Sequence, residues 1–239
     1  MRAYKFYMIT INHSNKKKDV REMDSIKLYW DKRFKEKKWI WGEEPSEAAV
    51  RTVVFLKKEN KERLKILDAG CGYGRDSMYF TAHNHKVIGI DITNTGINMA
   101  RSYYPDIDFL IGNIHDLSFP NASFDMLFGN FLLHLFIKDF RKKIIKESLR
   151  VIKPGGIASF SVASTEDADF GQGQEIEKNC FVNARGIMKY YYSINTIKNE
   201  FKQFKELFIE PMLEKHVHDY PHEHKSFLII ARKEGTVEC

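Results

Sequence analysis

Residues Ile66 to Asp76 read ILDAGCGYGRD. An apolar run breaks into three glycines at alternate positions and resumes as a segment able to start a helix. The pattern predicts a buried strand over Leu64–Leu67 and a helix over Arg75–His83. Gly70, Gly72 and Gly74 have no Cβ, so the backbone between them can turn sharply and come close to a ligand. The helix that follows aims its positive N-terminal end at the same turn. A strand, a glycine turn and a helix in that order make a nucleotide-type ligand site. A dinucleotide fingerprint, G-x-G-x-x-G, would need glycine at position 75, where Arg75 stands. The sequence has G-x-G-x-G instead, with Asp68 two residues ahead of it, and so departs from the NAD pattern.

A second apolar, β-branched run, Lys86 to Asp91 (KVIGID), ends in an acid. At the carboxyl end of a second parallel strand, such an acid can accept hydrogen bonds from ribose hydroxyls. Gly96–Tyr104 then reads as a helix closed by Pro105, Asp108–Ile111 as a third strand and Phe124–Gly129 as a fourth. Ile137–Lys153 reads as a long helix turned by Pro154-Gly155-Gly156, and Ile157–Val162 as a fifth strand. Strands alternating with helices imply a parallel sheet. Upstream, Ser46 is placed to cap a helix over Glu47–Lys58, with Ala49, Val50, Val53, Val54 and Leu56 as its apolar stripe.

The runs LDAGCGYGRDSMYF, HKVIGIDIT, FDMLFGNFLLHL and LRVIKPGGIASFSV, in that order, resemble a class I S-adenosylmethionine-dependent methyltransferase across about residues 46–163. Arg75 and the aromatic segment YWDKRF resemble the tellurite-resistance and thiopurine methyltransferase group within it. The resemblance implies a doubly wound α/β fold: a mostly parallel seven-stranded sheet with helices on both faces and a C-terminal antiparallel hairpin. It implies S-adenosyl-L-methionine as cofactor, contacted by Asp68, Gly70, Gly72, Gly74, Asp91, Ile92, Asn113, Ile114 and Asn130. Asn113 stands where many members carry the acid that binds the adenine amino group, with the Ile114 backbone meeting a ring nitrogen. Asn130-Phe131-Leu132-Leu133 replaces the Asn/Asp-Pro-Pro-aromatic signature of enzymes acting on base amines, which disfavours such a target. The expected division is a basic tail and cofactor-covering helix over 1–45, a cofactor-binding core over 46–163, an insertion or substrate lid over 164–192, and a C-terminal helix and hairpin over 193–239.

At 239 residues and 43% hydrophobic, the chain can bury one core. Three widely spaced cysteines argue against a disulfide framework. No stretch reaches membrane-spanning length, so no membrane partner and a cytoplasmic location are expected. The net charge of +6 is concentrated before residue 66, including Lys16, Lys17, Lys18, Lys32, Arg33, Lys35, Lys37 and Lys38. Without a nucleic-acid module beside it, that excess reads as a solvated tail and helix face rather than an RNA surface.

Val20–Lys38 carries Met23, Ile26, Trp30 and Phe34 at helical spacing. Trp30 and Phe34 share a face; by the resemblance they cover the cofactor, and by spacing alone they pack on the core. Arg75 either packs and caps locally or pairs with an anion. His134, just past the fourth strand, is the candidate catalytic base or else a packed histidine. Residues 164–192 show no long period, and Asn195–Phe204 reads as a helix. Leu207–His218 and Ser226–Arg232 read as the final hairpin. Its His216, His218, His222 and His224 suit pocket lining or an exposed turn; His216 and His218 share a strand face on which a metal is geometrically possible, but none is expected.

The chemistry expected is methyl transfer to a small-molecule acceptor. With no acid–base pair visible at the rim, a soft nucleophile (thiol, chalcogen or metalloid anion) is expected. The alternatives are an RNA-directed or other O- or N-methyltransferase and a non-catalytic S-adenosylmethionine-binding protein. The glycine spacing disfavours an NAD oxidoreductase.

Overall fold

The computed structural model describes residues 15–216 and 222–235, with side chains described from residue 23 to 215 and from 222 onward. His218 lies outside the described residues, as does the side chain of His216. Helix α1 (Asn15–Glu36) begins upstream of its expected start at Val20. Helix α2 spans Glu47–Lys58, and the Ser46 side chain accepts the Ala49 N–H as the expected cap. Its buried face is Ala48, Ala49, Thr52, Val53 and Leu56, whereas Val54 is exposed.

The core sheet has β1 (Lys65–Ala69), β2 (Lys86–Asp91), β3 (Asp108–Ile111), β4 (Phe124–Gly129) and β5 (Ile152–Ala163), closed by β9 (Glu206–His216) and β10 (His222–Arg232). Its order is β3-β2-β1-β4-β5-β10-β9. The first five strands run parallel, and β10 is antiparallel to both β5 and β9. The chain winds outward from β1 to β3 and returns at β4, so the order reverses between β1 and β4. Ligands of open parallel sheets sit at such a reversal, outside the carboxyl ends of the strands. Central strands are buried along their length, as continuous apolar runs require, while edge strand β3 is mostly exposed.

Helices α2, α3 (Arg75–Ala82) and α4 (Asn94–Tyr103) cover one face with a core that includes Val53, Leu56, Ile66, Phe80, Ile97 and Phe128. Helix α5 (Lys138–Val151) and α6 (Ile194–Glu200) join the other core, with Phe140, Ile144, Phe160, Ile197 and Phe227. Helix α5 stops at Val151, two residues short of the expected Lys153. A residue before proline disfavours helical backbone, and Lys153-Pro154 is taken into β5 instead. Gly155 there has φ +74°, and the register with β4 shifts between Phe124 and Met126.

The segment with no visible period contains a second sheet: β6 (Gln174–Glu177), β7 (Cys180–Val182) and β8 (Met188–Tyr190). A parallel bridge from Ser164 to Tyr192 joins its ends to the core. Arg141, 2% exposed, fastens it. Its guanidinium donates to Glu177 (2.9 Å), Glu200 (3.0 Å) and the Phe136 carbonyl (2.8 Å), and lies 3.5 Å over the Tyr190 ring. Arg141→Ala would leave two carboxylates without their buried partner, a loss of about 3 kcal/mol or more. Urea unfolding should show it; a change below about 1 kcal/mol would mean that the inserted sheet is held by other contacts.

Candidate active site

The glycine turn is shaped by its own acids. Gly70, Gly72 and Gly74 have φ of +72°, +53° and +87°, a region that costs a side-chain-bearing residue strain. A Cβ on Gly72 would stand 3.2 Å from Phe34, and one on Gly70 would stand 2.9 Å from Leu132. Asp91 accepts the Gly72 N–H (3.0 Å) and, on its other oxygen, the Thr93 N–H (2.8 Å) and hydroxyl (2.6 Å). Asp76 accepts the backbone N–H (2.7 Å) and hydroxyl (2.9 Å) of Ser46, so the start of α2 is tied to the start of α3. Asp31 accepts the Thr95 N–H at the start of α4 (2.8 Å). Asp68, 2% exposed, accepts the Ser77 hydroxyl.

These carboxylates crowd one another. Burial, then the charges of Asp76 and Asp91, push Asp68 up to about 8, against the Ser77 bond that lowers it. Burial also raises Asp91 in spite of its three donors. Arg75 is the cation that counters Asp68, but its guanidinium is spent on the Trp41 (2.8 Å) and Glu44 (3.1 Å) carbonyls. Arg75 therefore braces the loop before α2. The turn is an acid-lined cradle.

Phe34, 3% exposed, packs between Gly72 and Gly96, within an aromatic cluster of Trp30, Trp41 and Tyr73. Trp30 is half-buried and lines a cleft with Ile26, Tyr29, Leu135, Ile187 and Met188, between α1 and the inserted sheet. The two aromatics thus part: Phe34 wedges the loop, and Trp30 lines the cleft. Ile92 is half-buried against the core, and Ile114 is buried in it. The Asn113 side-chain oxygen accepts the His115 N–H (3.3 Å).

At the reversal point, Asn130 accepts the Ser161 hydroxyl (2.5 Å), which itself accepts the Phe131 N–H (2.8 Å). Phe131 has φ +46°, and its ring centroid lies 5.1 Å from that of His134. His134 is 3% exposed, in a 3₁₀ turn, Leu133–Leu135. Its Nδ1 accepts the Ala163 N–H (3.4 Å), so its proton resides on Nε2. Burial, then the charges of Lys189 and His224, hold its pKa well below the ordinary histidine range. The Nδ1 lone pair of His134, the candidate base, is thus engaged by the backbone.

Beyond the carboxyl end of β5, a carboxylate and a histidine meet. Asp167, just beyond β5, is 5% exposed and lies 3.1 Å from Nδ1 of His224. It also accepts the N–H groups of Lys225 (2.7 Å) and Asp169 (3.0 Å). Burial raises its carboxyl, but the bonds from His224 and Asp169 outweigh it and keep Asp167 below its usual range, hence ionised. Among the described residues, Asp167, Asp169 and His224 alone bring three metal-type ligand atoms within 4.8 Å of one another. Lys189 lies 3.4 Å from Asp169, and both Asp167 oxygens accept hydrogen bonds. Glu214 was also illegible in the sequence. It is buried on β9 with no hydrogen-bond partner for Oε2 among the described residues, and burial pushes it up to about 7.

The fold, the glycine turn and the acid after β2 together resemble those of class I S-adenosylmethionine-dependent methyltransferases. Residues 66–156 match the family model described as a methyltransferase domain. Over 116 residues the chain is 31% identical to a probable S-adenosylmethionine-dependent methyltransferase of Mycolicibacterium smegmatis, covering 48% of this chain and 44% of the relative. The chain spans about half the length of the curated relatives it matches. A SAM-dependent methyltransferase structure from Methanosarcina mazei shares the fold at TM-score 0.67 and 21% identity, covering 76% of this chain and 98% of that one. The 1,6-didemethyltoxoflavin-N1-methyltransferase of Burkholderia thailandensis, solved with S-adenosylhomocysteine, does so at TM-score 0.63 and 19% identity, covering 94% and 92%.

Asp68 and Glu214 bind protons more tightly folded than unfolded, so stability is greatest below their unfolded pKa values and falls as pH rises toward about 8 and 7. Glu214→Gln should remove the part lost between about pH 4.5 and 7, on the order of 2–3 kcal/mol. Urea unfolding at pH 5 and pH 8 reads it directly; an unchanged difference between the two pH values would contradict the assignment.

Proposed function

We propose that this chain transfers the methyl group of S-adenosylmethionine to a small-molecule acceptor. The observation that carries the reading is the acid-lined turn. Asp68, Asp76 and Asp91 surround it, and its nearby guanidinium is held by carbonyls. Such a cradle suits a ligand bearing an ammonium and a sulfonium, and repels the anionic pyrophosphate of a dinucleotide. When bound, S-adenosylmethionine supplies an electrophilic methyl on a sulfur that leaves uncharged.

The protein's share is positioning. Asp91 keeps one remaining acceptor site beside its three chain donors for a ribose hydroxyl. Asn113 and the Ile114 backbone offer the adenine contacts, with the asparagine oxygen shared with His115. Ile92 flanks the ribose, and the Asn130 side chain, fixed by Ser161, faces the reversal point. Trp30 closes the outer side, and Phe34 supports the loop from beneath. Residues 164–192 form the lid on the acceptor side. Aligning nucleophile and methyl in this way can supply on the order of 7 kcal/mol of the barrier.

The finer likeness to the tellurite-resistance and thiopurine group rests on Arg75 and YWDKRF, and Arg75 braces the loop before α2. A soft nucleophile (thiol, chalcogen or metalloid anion) is the acceptor class in keeping with it, since positioning alone can carry its transfer.

Calorimetry with S-adenosylhomocysteine should show saturable binding, with NAD failing to bind. Asp91→Ala should weaken S-adenosylhomocysteine at least about tenfold, because a ribose contact and the Gly72 tether are lost together. NAD binding comparable to that of S-adenosylhomocysteine, or unchanged affinity in Asp91→Ala, would overturn the reading.

A further inference from the structure

Helix α4 is capped from outside itself. A helix begins with backbone N–H groups that its own turns cannot satisfy, and the residue before it usually supplies a side-chain oxygen for them. Thr93 holds that place ahead of α4, but its hydroxyl donates to Asp91 (2.6 Å) and makes no cap bond. The Thr95 N–H is met instead by Asp31 of α1, 64 residues earlier in the chain (2.8 Å). Two acids therefore hold the start of α4. Asp91 at the end of β2 takes Thr93, and Asp31 takes Thr95.

Phe34 lies three residues beyond Asp31 and so shares a face of α1 with it. Its ring fills the slot between two glycines, 3.2 Å from where a Cβ would stand on Gly72 and 3.2 Å from where one would stand on Gly96. Gly72 is the residue whose N–H Asp91 accepts (3.0 Å), and Gly96 follows Thr95 in α4. Catch and wedge thus act at one place: Asp31 sets how α1 sits against α4, and that seat sets how far Phe34 enters beside Gly72. Charge adds to shape here. The positive end of α4 answers both carboxylates, while burial and, to a lesser degree, the charge of Asp31 hold Asp91 above its ordinary range. On the preceding position of α1, Trp30 lines the cleft with Ile187 and Met188, so the same helix reaches from the glycine turn to the inserted sheet.

We propose that Asp31 is a positioning residue for the cofactor: by capping α4 from α1, it holds Phe34 against the glycine turn and Asp91 in place for the ribose. The cofactor half of this rests on the methyltransferase reading above. Asp31 acts through Thr95, Phe34 and Asp91 rather than on the ligand. Without the cap, α1 can tilt from α4 and the turn loses its wedge. The bond from the Gly72 N–H to Asp91 persists, so the turn loosens without unfolding.

The test compares Asp31→Ala with Asp31→Asn, because an asparagine oxygen accepts the same N–H without the charge and caps helices about as well. Asp31 is half-buried, so both variants should fold. In the free protein, amide exchange at Thr95 should rise about tenfold or more in Asp31→Ala and stay within about threefold of wild type in Asp31→Asn. Calorimetry with S-adenosylhomocysteine should show binding about tenfold weaker in Asp31→Ala and close to wild type in Asp31→Asn. A role confined to stability would lower the urea midpoint of Asp31→Ala and leave the affinity of the folded protein unchanged. That result would overturn the proposal, as would an asparagine variant that binds as weakly as the alanine one. Unchanged exchange at Thr95 in Asp31→Ala would overturn the cap itself. Failure of the wild type to bind S-adenosylhomocysteine would overturn the methyltransferase reading, and exchange at Thr95 would still decide whether Asp31 caps α4.

Discussion

The structure depends on carboxylates that the chain spends on itself. Asp91 holds the Gly72 N–H, Asp76 holds Ser46, Asp31 holds the start of α4, and Asp68 sits beneath with Ser77. Each bond fixes one wall of the glycine turn. Gathering so many acids in a buried place raises their pKa values, and little nearby positive charge relieves it. A site built this way binds cations at an electrostatic advantage, because the ligand's charge answers repulsion already present in the empty fold. The same feature that shapes the turn therefore also selects what enters it.

The region where β4 and β5 end follows a different logic. The inserted sheet is anchored there at one side by Arg141 and at the other by the bridge from Ser164 to Tyr192. Docking it brings Lys189 to Asp169, and brings Asp167 to His224 on the last strand. The core sheet carries the glycine turn, and the insertion brings further polar groups to its edge.

Much of the core was legible. Strands β2, β3 and β4 begin and end where the apolar runs do, because turn residues bound each run. Helix α2 starts where Ser46 caps it. The inserted sheet was not legible, since strands of three or four residues are too short to display a period of two. The Asp167–His224 pair was hidden by its 57-residue separation, and Glu214 looked like any polar strand position. The partners of Arg75 are backbone carbonyls, which leave no trace in side-chain identity. Histidine spacing did draw attention to the hairpin, but the carboxylate that meets His224 comes from another segment.

The most direct test of an acid-lined, cation-selecting cradle is the number of protons released when S-adenosylmethionine binds. Titration calorimetry at pH 7, in two buffers of different ionisation enthalpy, measures it without any acceptor. With Asp68 raised to about 8, the free protein holds that proton, and an arriving cation should expel it. The account predicts release of about half to one proton per site, abolished in Asp68→Asn. Binding with no proton released, or release unchanged in Asp68→Asn, would contradict it.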